Sequence, residues 1–233
     1  MNGGPVGSHL RDICLVALAG IAVFLLGTAI AGDGLVATQL AAWTTSLAMI
    51  AAVIVLQRRR GESLRHLGLE RFPSNIRSFA KLLMRGLVAL VAALAAFVIG
   101  SIVMANITGV PEQADMSGYD SLSRNPAMFL VVLPGVFVAS SFGEELVYRG
   151  FLTTRFAAIF GSTRSAWIWA GVVSSVLFGL AHYSWGWMGI VQTAFMGGAL
   201  VVTWRKFGGN LWVVILAHAI LDLTLMLQVY FGP

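Results

Sequence analysis

Charged residues are scarce in this chain. Only 11% of its 233 residues are Asp, Glu, Lys or Arg, whereas 58% are hydrophobic, and the mean hydropathy is +0.85. A water-soluble domain of this length normally carries about twice that share of charge on its surface. The scarcity of charge therefore excludes an ordinary soluble domain and indicates a chain embedded in lipid.

Cysteine is nearly absent as well, because Cys14 is the one cysteine in the sequence. A single cysteine excludes an intrachain disulfide and a CxxC metal site. Strict alternation of apolar and polar residues is also missing, and lipid tolerates only helices or closed barrels as spanning structures. The predicted fold class is therefore all-α, a polytopic membrane helical bundle.

Seven apolar runs, nearly free of charge, approach the ~20 residues that a helix needs to cross a bilayer. They cover residues 13–31, 35–57, 86–105, 127–143, 165–181, 187–204 and 211–231. We predict about seven transmembrane helices in a single membrane domain, 1–233. The first run is longer than the apolar core of a signal peptide, so we expect a retained anchor. The polar stretch 58–81 predicts an amphipathic helix on the membrane surface.

Basic residues are distributed unevenly, with most of them in 58–85 or at alternate ends of later runs. The opposite side holds Arg124 and the acidic residues Asp33, Glu112, Asp115 and Asp120. By the positive-inside rule this asymmetry predicts a multi-pass protein of the cell inner membrane with a cytoplasmic N-terminus. A basic loop beside anionic headgroups explains the net charge of +5 without a nucleic-acid partner.

The stretch SFGEELVYRG, residues 141–150, brings charge to the end of an apolar run. Ionisable groups inside a membrane are costly and usually mark functional sites or structural pairs. Glu145 precedes Arg149 by one helical turn, so the two can form an ion pair that keeps Glu145 ionised. That pair could lock helix packing or take part in catalysis. Glu144 points about 100° away and lacks this partner, which favours a role in proton transfer.

Two later runs contain histidines. His182 ends the sequence FGLAH, and His218 opens HAILD, with Asp222 one helical turn further on. Asp222 can accept a hydrogen bond and fix the tautomer of His218. On antiparallel helices rising ~1.5 Å per residue, Glu144 and His182 reach the same depth to within roughly 5 Å. A lone histidine is usually a packing element, but two at the depth of an unpaired glutamate indicate catalysis. We expect Phe178 to belong to the core. The sequence YSWGW at 183–187 would then lie partly within the membrane and line a cavity or be covered by protein.

The motifs EELVYRGFL, FGLAH and AHAILD, in this order, resemble those of the CPBP intramembrane proteases. That family includes the CAAX prenyl endopeptidases and bacteriocin-processing or Abi-type proteins. The resemblance covers about 134–225 and implies an endopeptidase whose catalytic core lies at about 127–231. The catalytic residues that it implies are Glu144, Glu145, Arg149, His182, His218 and Asp222.

The roles follow from the same resemblance. Glu144 and His182 would activate a water for attack on a peptide carbonyl, while Glu145 and Arg149 support that geometry. His218 and the residue at 222 would stabilise the oxyanion. The best-studied prenyl proteases have Asn where Asp222 stands here. An ionised Asp cannot donate a hydrogen bond, so it must be protonated or act by orienting His218.

A metal mechanism is open to the same residues. Glu144, His182 and His218 match a catalytic zinc ligand set with water in the fourth position, as the family's older metalloprotease name implies. The chain has no HExxH sequence. We favour direct activation of water without a cofactor and keep a divalent metal such as zinc as the alternative.

Other classes of function fit parts of the pattern. The charged cluster could lock a non-catalytic scaffold or immunity protein that retains the protease fold. A proton-coupled transporter also uses intramembrane Glu and His, but the sequence shows no inverted repeat. We therefore predict an intramembrane endopeptidase that acts in the bilayer on a peptide or membrane-protein substrate. The sequence does not indicate an oligomeric state.

Overall fold

A computed structural model describes residues 6–31, 35–109 and 122–232. Within these ranges there are seven helices long and apolar enough to span a membrane, and there is no β-strand. They are α1 Val6–Ala31, α2 Leu35–Arg59, α3 Ile76–Thr108, α4 Pro126–Ile159, α5 Arg164–Ala181, α6 Gly186–Lys206 and α7 Leu211–Phe231. The prediction of a polytopic helical bundle is confirmed.

The polar stretch after α2 differs from the prediction. It contains one short 3₁₀ turn, Leu64–Leu67, and not a surface helix. α3 begins at Ile76, because the side chain of Asn75 accepts a hydrogen bond from the Ser78 N–H at 2.9 Å and caps the helix. The polar residues from Ile76 onward therefore extend a spanning helix, and the predicted amphipathic surface helix over 58–81 is wrong.

Hydrogen bonds tie this connecting segment to the start of α7. The Leu211 N–H donates to the Gly68 carbonyl at 2.8 Å, and the Trp212 indole N–H donates to the Glu70 carbonyl at 2.7 Å. These bonds supply partners for backbone groups that a surface helix would have satisfied internally. The segment thus follows the tertiary structure and not its own amphipathic pattern.

Basic side chains gather at one end of the bundle, here called the basic end. Arg60 at the end of α2 donates to Asp12 of α1 at 2.5 Å, and the Arg205 guanidinium lies 3.8 Å from the centre of the Trp167 ring of α5. At the other end, the Arg124 N–H donates to the Tyr230 carbonyl at 3.0 Å. The membrane side that the basic end faces stays a prediction. Asp33, Glu112, Asp115, Asp120 and the middle of the expected outer loop, 110–121, lie outside the described residues.

α4 is not a uniform α-helix. Pro134 lies inside it without an N–H to donate, and two widened π-helical segments follow, Phe137–Phe142 and Glu145–Leu152. Short π-helical segments occur often at functional sites. α4 continues past the apolar run 127–143 to Ile159, close to the end that Gly161 and Ser162 predict from the sequence, so Glu144 and Glu145 lie within the helix.

The second π-helical segment is fastened to α5. The Tyr148 carbonyl accepts hydrogen bonds from the hydroxyl of Thr153 at 2.8 Å and from that of Ser174 in α5 at 2.7 Å. A turn at Gly161 and Ser162 joins the two helices, and both residues have positive φ angles, 99° and 59°. α4 and α5 therefore run back along each other, as the depth argument for Glu144 and His182 required.

The buried core lies where α4, α5, α6 and α7 meet. Fully buried apolar residues there include Leu146, Phe151, Phe178, Leu200 and Val214. α1 instead exposes much of its apolar surface, for example Leu25 and Leu26, as expected of a helix that faces lipid. The charged residues of α4 and α7 thus point into the best-packed part of the bundle.

The aromatic sequence after α5 is exposed. Tyr183, Trp185 and Trp187 expose 61%, 52% and 73% of their surface. These rings are therefore not covered by the protein that the structure describes, and the alternative that the stretch lines a cavity stays a prediction. Amphipathic Tyr and Trp rings are enriched where a membrane meets water, and the exposure of these rings fits such a location.

Candidate active site

His218 of α7 is the centre of a cluster of charged side chains. Its Nδ1 lies 2.8 Å from Oε1 of Glu145, and its Nε2 lies 3.8 Å from Oε2 of Glu144 and 3.7 Å from Oδ1 of Asp222. Glu144 and Glu145 come from α4, and Asp222 lies one turn further along α7. The imidazole is 5% exposed, so the two helices meet around it.

Glu145 and Arg149 form the buried ion pair that their spacing predicted. Arg149 Nη1 donates to Glu145 Oε1 at 2.9 Å, and the two side chains are 1% and 0% exposed. The Arg149 guanidinium also lies 4.1 Å from the centre of the Phe178 ring, a cation–π contact. The same Glu145 oxygen binds His218, so this pair holds the imidazole in place.

Glu144 has no such partner. Its side chain is 25% exposed, yet Oε2 is buried and makes no hydrogen bond to any residue that the structure describes. Oε2 of Glu145 is also without a hydrogen bond there, but Arg149 neutralises that carboxylate. Native buried polar atoms almost always have a hydrogen-bond partner. Oε2 of Glu144 is therefore an acceptor that is still available to bind one.

His182 is half-buried at the end of α5, where it caps the helix. Its Nδ1 lies 2.8 Å from the Phe178 carbonyl oxygen. A carbonyl only accepts, so Nδ1 carries the hydrogen and Nε2 of the neutral ring is a free acceptor. The His182 ring makes an edge contact with Trp185 at 4.9 Å between centroids.

Phe178 lies in the core, as expected, and it also connects the two histidines. Its fully buried ring makes edge contacts with His182 at 4.8 Å and with His218 at 6.3 Å between centroids. Tyr148 contacts the other side of the ring at 5.1 Å. Phe178 thus orients His182 through both its ring and its carbonyl.

Asp222 accepts a hydrogen bond from Ser141, a residue that the sequence argument did not single out. Ser141 Oγ donates to Asp222 Oδ2 at 2.6 Å. The other carboxylate oxygen of Asp222, Oδ1, faces His218. Ser141 lies one turn before Glu145, so helical spacing could have placed it on the site's face. Serines in apolar helices commonly bond their own backbone, which hides this signal.

The sequence argument also did not identify Gly197 of α6 as a residue of the site. A Cβ at this position would lie 3.1 Å from the Phe178 ring and 3.2 Å from Arg149 Nη2, both closer than ordinary van der Waals contact. A glycine here lets α6 approach the buried side chains of the site. The neighbouring pair Gly197 and Gly198 in FMGGAL was the available sequence signal.

Metal binding by Glu144, His182 and His218 stays a prediction. Within residues 6–31, 35–109 and 122–232, no group of three His, Cys, Asp or Glu side chains could hold a metal ion. Nδ1 of each histidine makes a protein hydrogen bond, which leaves Nε2 of each ring as the nitrogen that a metal could bind.

The fold and this cluster define a polytopic membrane protein with acid and imidazole groups buried between its helices. Residues 126–224 match the family model described as Rce1-like, Type II CAAX prenyl endopeptidase Rce1-like. The match covers 99 of the 233 residues and supports the recognition of a CPBP family protease of the type II CAAX kind. Its range contains all three motifs. Neither a curated protein nor a solved structure matches the chain significantly.

Proposed function

We propose that the chain is an intramembrane endopeptidase that hydrolyses a peptide bond with a water activated by Glu144 and His182. The observation that supports this is the contrast between two adjacent glutamates. Arg149 neutralises Glu145, whereas Oε2 of Glu144 is buried without a hydrogen bond among the described residues. A general base needs such a free acceptor within reach of the proton that it removes.

Each proton in the proposed reaction has a stated acceptor. Glu144 accepts one proton of the water, while Nε2 of His182 accepts a hydrogen bond from the other. The water oxygen attacks the peptide carbonyl carbon, and the carbonyl oxygen becomes an oxyanion. When the tetrahedral intermediate collapses, the C–N bond breaks and the leaving amine takes the proton from Glu144.

His218 is the proposed donor to the oxyanion. Because its Nδ1–H donates to Glu145, His218 can also donate from Nε2 only as an imidazolium. Glu144 and Asp222 both face Nε2 and can compensate that charge. Asp222 accepts a hydrogen bond from Ser141, so we assign it a positioning role. An ionised Asp can play this role, because positioning does not require it to donate a hydrogen bond.

The proposed substrate is a peptide or membrane-associated protein cleaved at the lipid–water boundary of the cell inner membrane. Position 222 carries Asp and not the Asn of the prenyl proteases, which favours a substrate without a prenyl group. A second candidate function has an observation of its own. The contact of His218 with Glu145 joins α7 to α4, and a non-catalytic scaffold or immunity protein would need the same contact between helices.

The test uses the purified full chain in detergent. We would incubate it with a library of prenylated and unprenylated peptides, with and without a chelator, and identify products by mass spectrometry. We expect cleavage that persists with chelator and is lost in Glu144→Gln. Glu70→Gln, an exposed glutamate outside the site, is the matched control and should cleave like the wild type.

Other outcomes would contradict parts of the proposal. Cleavage that survives in Glu144→Gln would refute the assignment of the base. Cleavage that is lost with chelator and restored by zinc would establish a metal mechanism instead. A chain that cleaves nothing in any condition would favour the scaffold.

A further inference from the structure

A second polar site lies at the basic end, away from the candidate active site. A cavity of about 320 Å³ opens between the start of α1 and the end of α2. Its lining residues are Arg11, Asp12, Leu15, Leu56, Arg59 and Arg60. None of them belongs to the cluster around His218, so the proposed peptidase leaves this cavity unexplained.

Positive charge at the cavity exceeds negative charge. Asp12 is the one acidic residue among the described residues that line it, and it lies 2.5 Å from Arg60, 3.4 Å from Arg11 and 4.0 Å from Arg155. Arg155 has a second partner in Glu62 at 3.1 Å, and Arg60 also donates to Ser8 at 2.9 Å. One carboxylate cannot neutralise the guanidinium groups around it, so the site lacks an anion.

The surplus charge is carried by accessible side chains. Arg11 is 67% exposed and uses one of its donors towards Asp12, and Arg59 is exposed at the end of α2. Arginine presents a planar fork of donors that matches a phosphate group. The two arginines line the same cavity from different helices, so one phosphate could be bound from both sides.

The rest of the cavity wall is apolar. Leu15 lies one turn further into the membrane than Arg11 on α1 and is 42% exposed, and Leu56 of α2 is buried beside it. Exposed leucines continue along α1 at Leu18 and Leu25. A ligand here would have its anionic group at the arginines and an apolar part along these leucines, as a phospholipid has.

We propose that this cavity binds the phosphate group of an anionic phospholipid, whose acyl chains lie along Leu15 and the exposed face of α1. Basic pockets between transmembrane helices are known to bind anionic headgroups. The lipid would bridge Arg11 and Arg59 and so join α1 to α2. Free phosphate offers the same anionic group but no acyl chains, and this difference separates the two sources in an experiment.

Lipid binding to the purified full chain would be measured by native mass spectrometry, with phosphatidylglycerol or phosphatidylcholine added to the detergent. We expect tighter binding of phosphatidylglycerol. The double variant Arg11→Gln/Arg59→Gln should weaken that binding by roughly 30-fold, because each arginine near anionic lipid contributes about fivefold. The matched control, Arg58→Gln/Arg71→Gln, removes two exposed charges outside the cavity and should keep the wild-type affinity.

Three results would overturn the proposal. Equal affinity for the two lipids would show that the cavity does not select an anion. Equal losses in the two double variants would show diffuse attraction and no defined site. Displacement of the lipid by inorganic phosphate at equal concentration would show that the acyl chains contribute nothing. Circular dichroism checks that each variant is folded, and peptide hydrolysis is not part of the measurement.

Discussion

Exchanging Glu144 or Glu145 for glutamine makes the same chemical change at adjacent positions of α4, yet the two variants should fail in different ways. Glu144→Gln keeps the size of the side chain and removes no hydrogen bond to a described residue at Oε2. The free energy of unfolding should therefore fall by less than in Glu145→Gln, because the change weakens only the 3.8 Å contact with His218. Loss of the base should lower kcat by about 10²–10⁴-fold.

Glu145→Gln should act mainly on stability. The change leaves Arg149, 1% exposed, without the carboxylate that it contacts at 2.9 Å. A buried charge that loses its partner costs about 3–5 kcal/mol. The glutamine carbonyl can still accept from Arg149 and His218, and Phe178 still lies beside the guanidinium. We therefore expect the lower value, about 3 kcal/mol.

The assay compares the wild type and both variants in one detergent, by chemical unfolding and by the rate of cleavage of one peptide. A third variant, Glu145→Gln/Arg149→Met, removes both charges and should be more stable than Glu145→Gln alone, because no unpaired charge is left. The reasoning is refuted if Glu144→Gln is the destabilised variant and retains its activity, because Glu144 would then be the structural carboxylate.

Three further substitutions test residues around the site. Ser141→Ala should lower kcat about tenfold at unchanged KM, because Asp222 loses the hydrogen bond that positions it. Activity equal to that of the wild type would show that Ser141 does not contribute to the site. Asp222→Asn should keep at least the wild-type kcat, since an amide can accept from Ser141 and donate to the oxyanion, and a large loss would show that the negative charge is required. Gly197→Ala should destabilise the protein by about 1–3 kcal/mol in thermal unfolding, because the added methyl meets buried side chains at 3.1 and 3.2 Å. Gly198→Ala is its control, with the nearest atom, Ser175 Oγ, at 3.9 Å, and equal effects of the two would contradict the packing argument.

The spans could be predicted from the sequence because a bilayer imposes a local requirement for a long apolar run. The i,i+4 pairs Glu145–Arg149 and His218–Asp222 are also local, since helical geometry alone places each pair on one face. Helix ends were less accurate. Ile76 lies ten residues before the apolar run 86–105, because capping by Asn75 stabilises turns that hydropathy does not indicate, whereas the end of α4 at Ile159 agrees with the breakers Gly161 and Ser162.

The sequence by itself determined the membrane helices and the chemical groups along them, because both depend on neighbours within about one helical turn. Only the tertiary structure decided which groups meet. The rotation and depth of α4 against α7 bring Glu145 to Nδ1 of His218 and Ser141 to Asp222. The closeness of α6 depends on the missing side chain of Gly197. Such contacts join residues far apart in the chain, and no local pattern encodes the relative rotation of two helices.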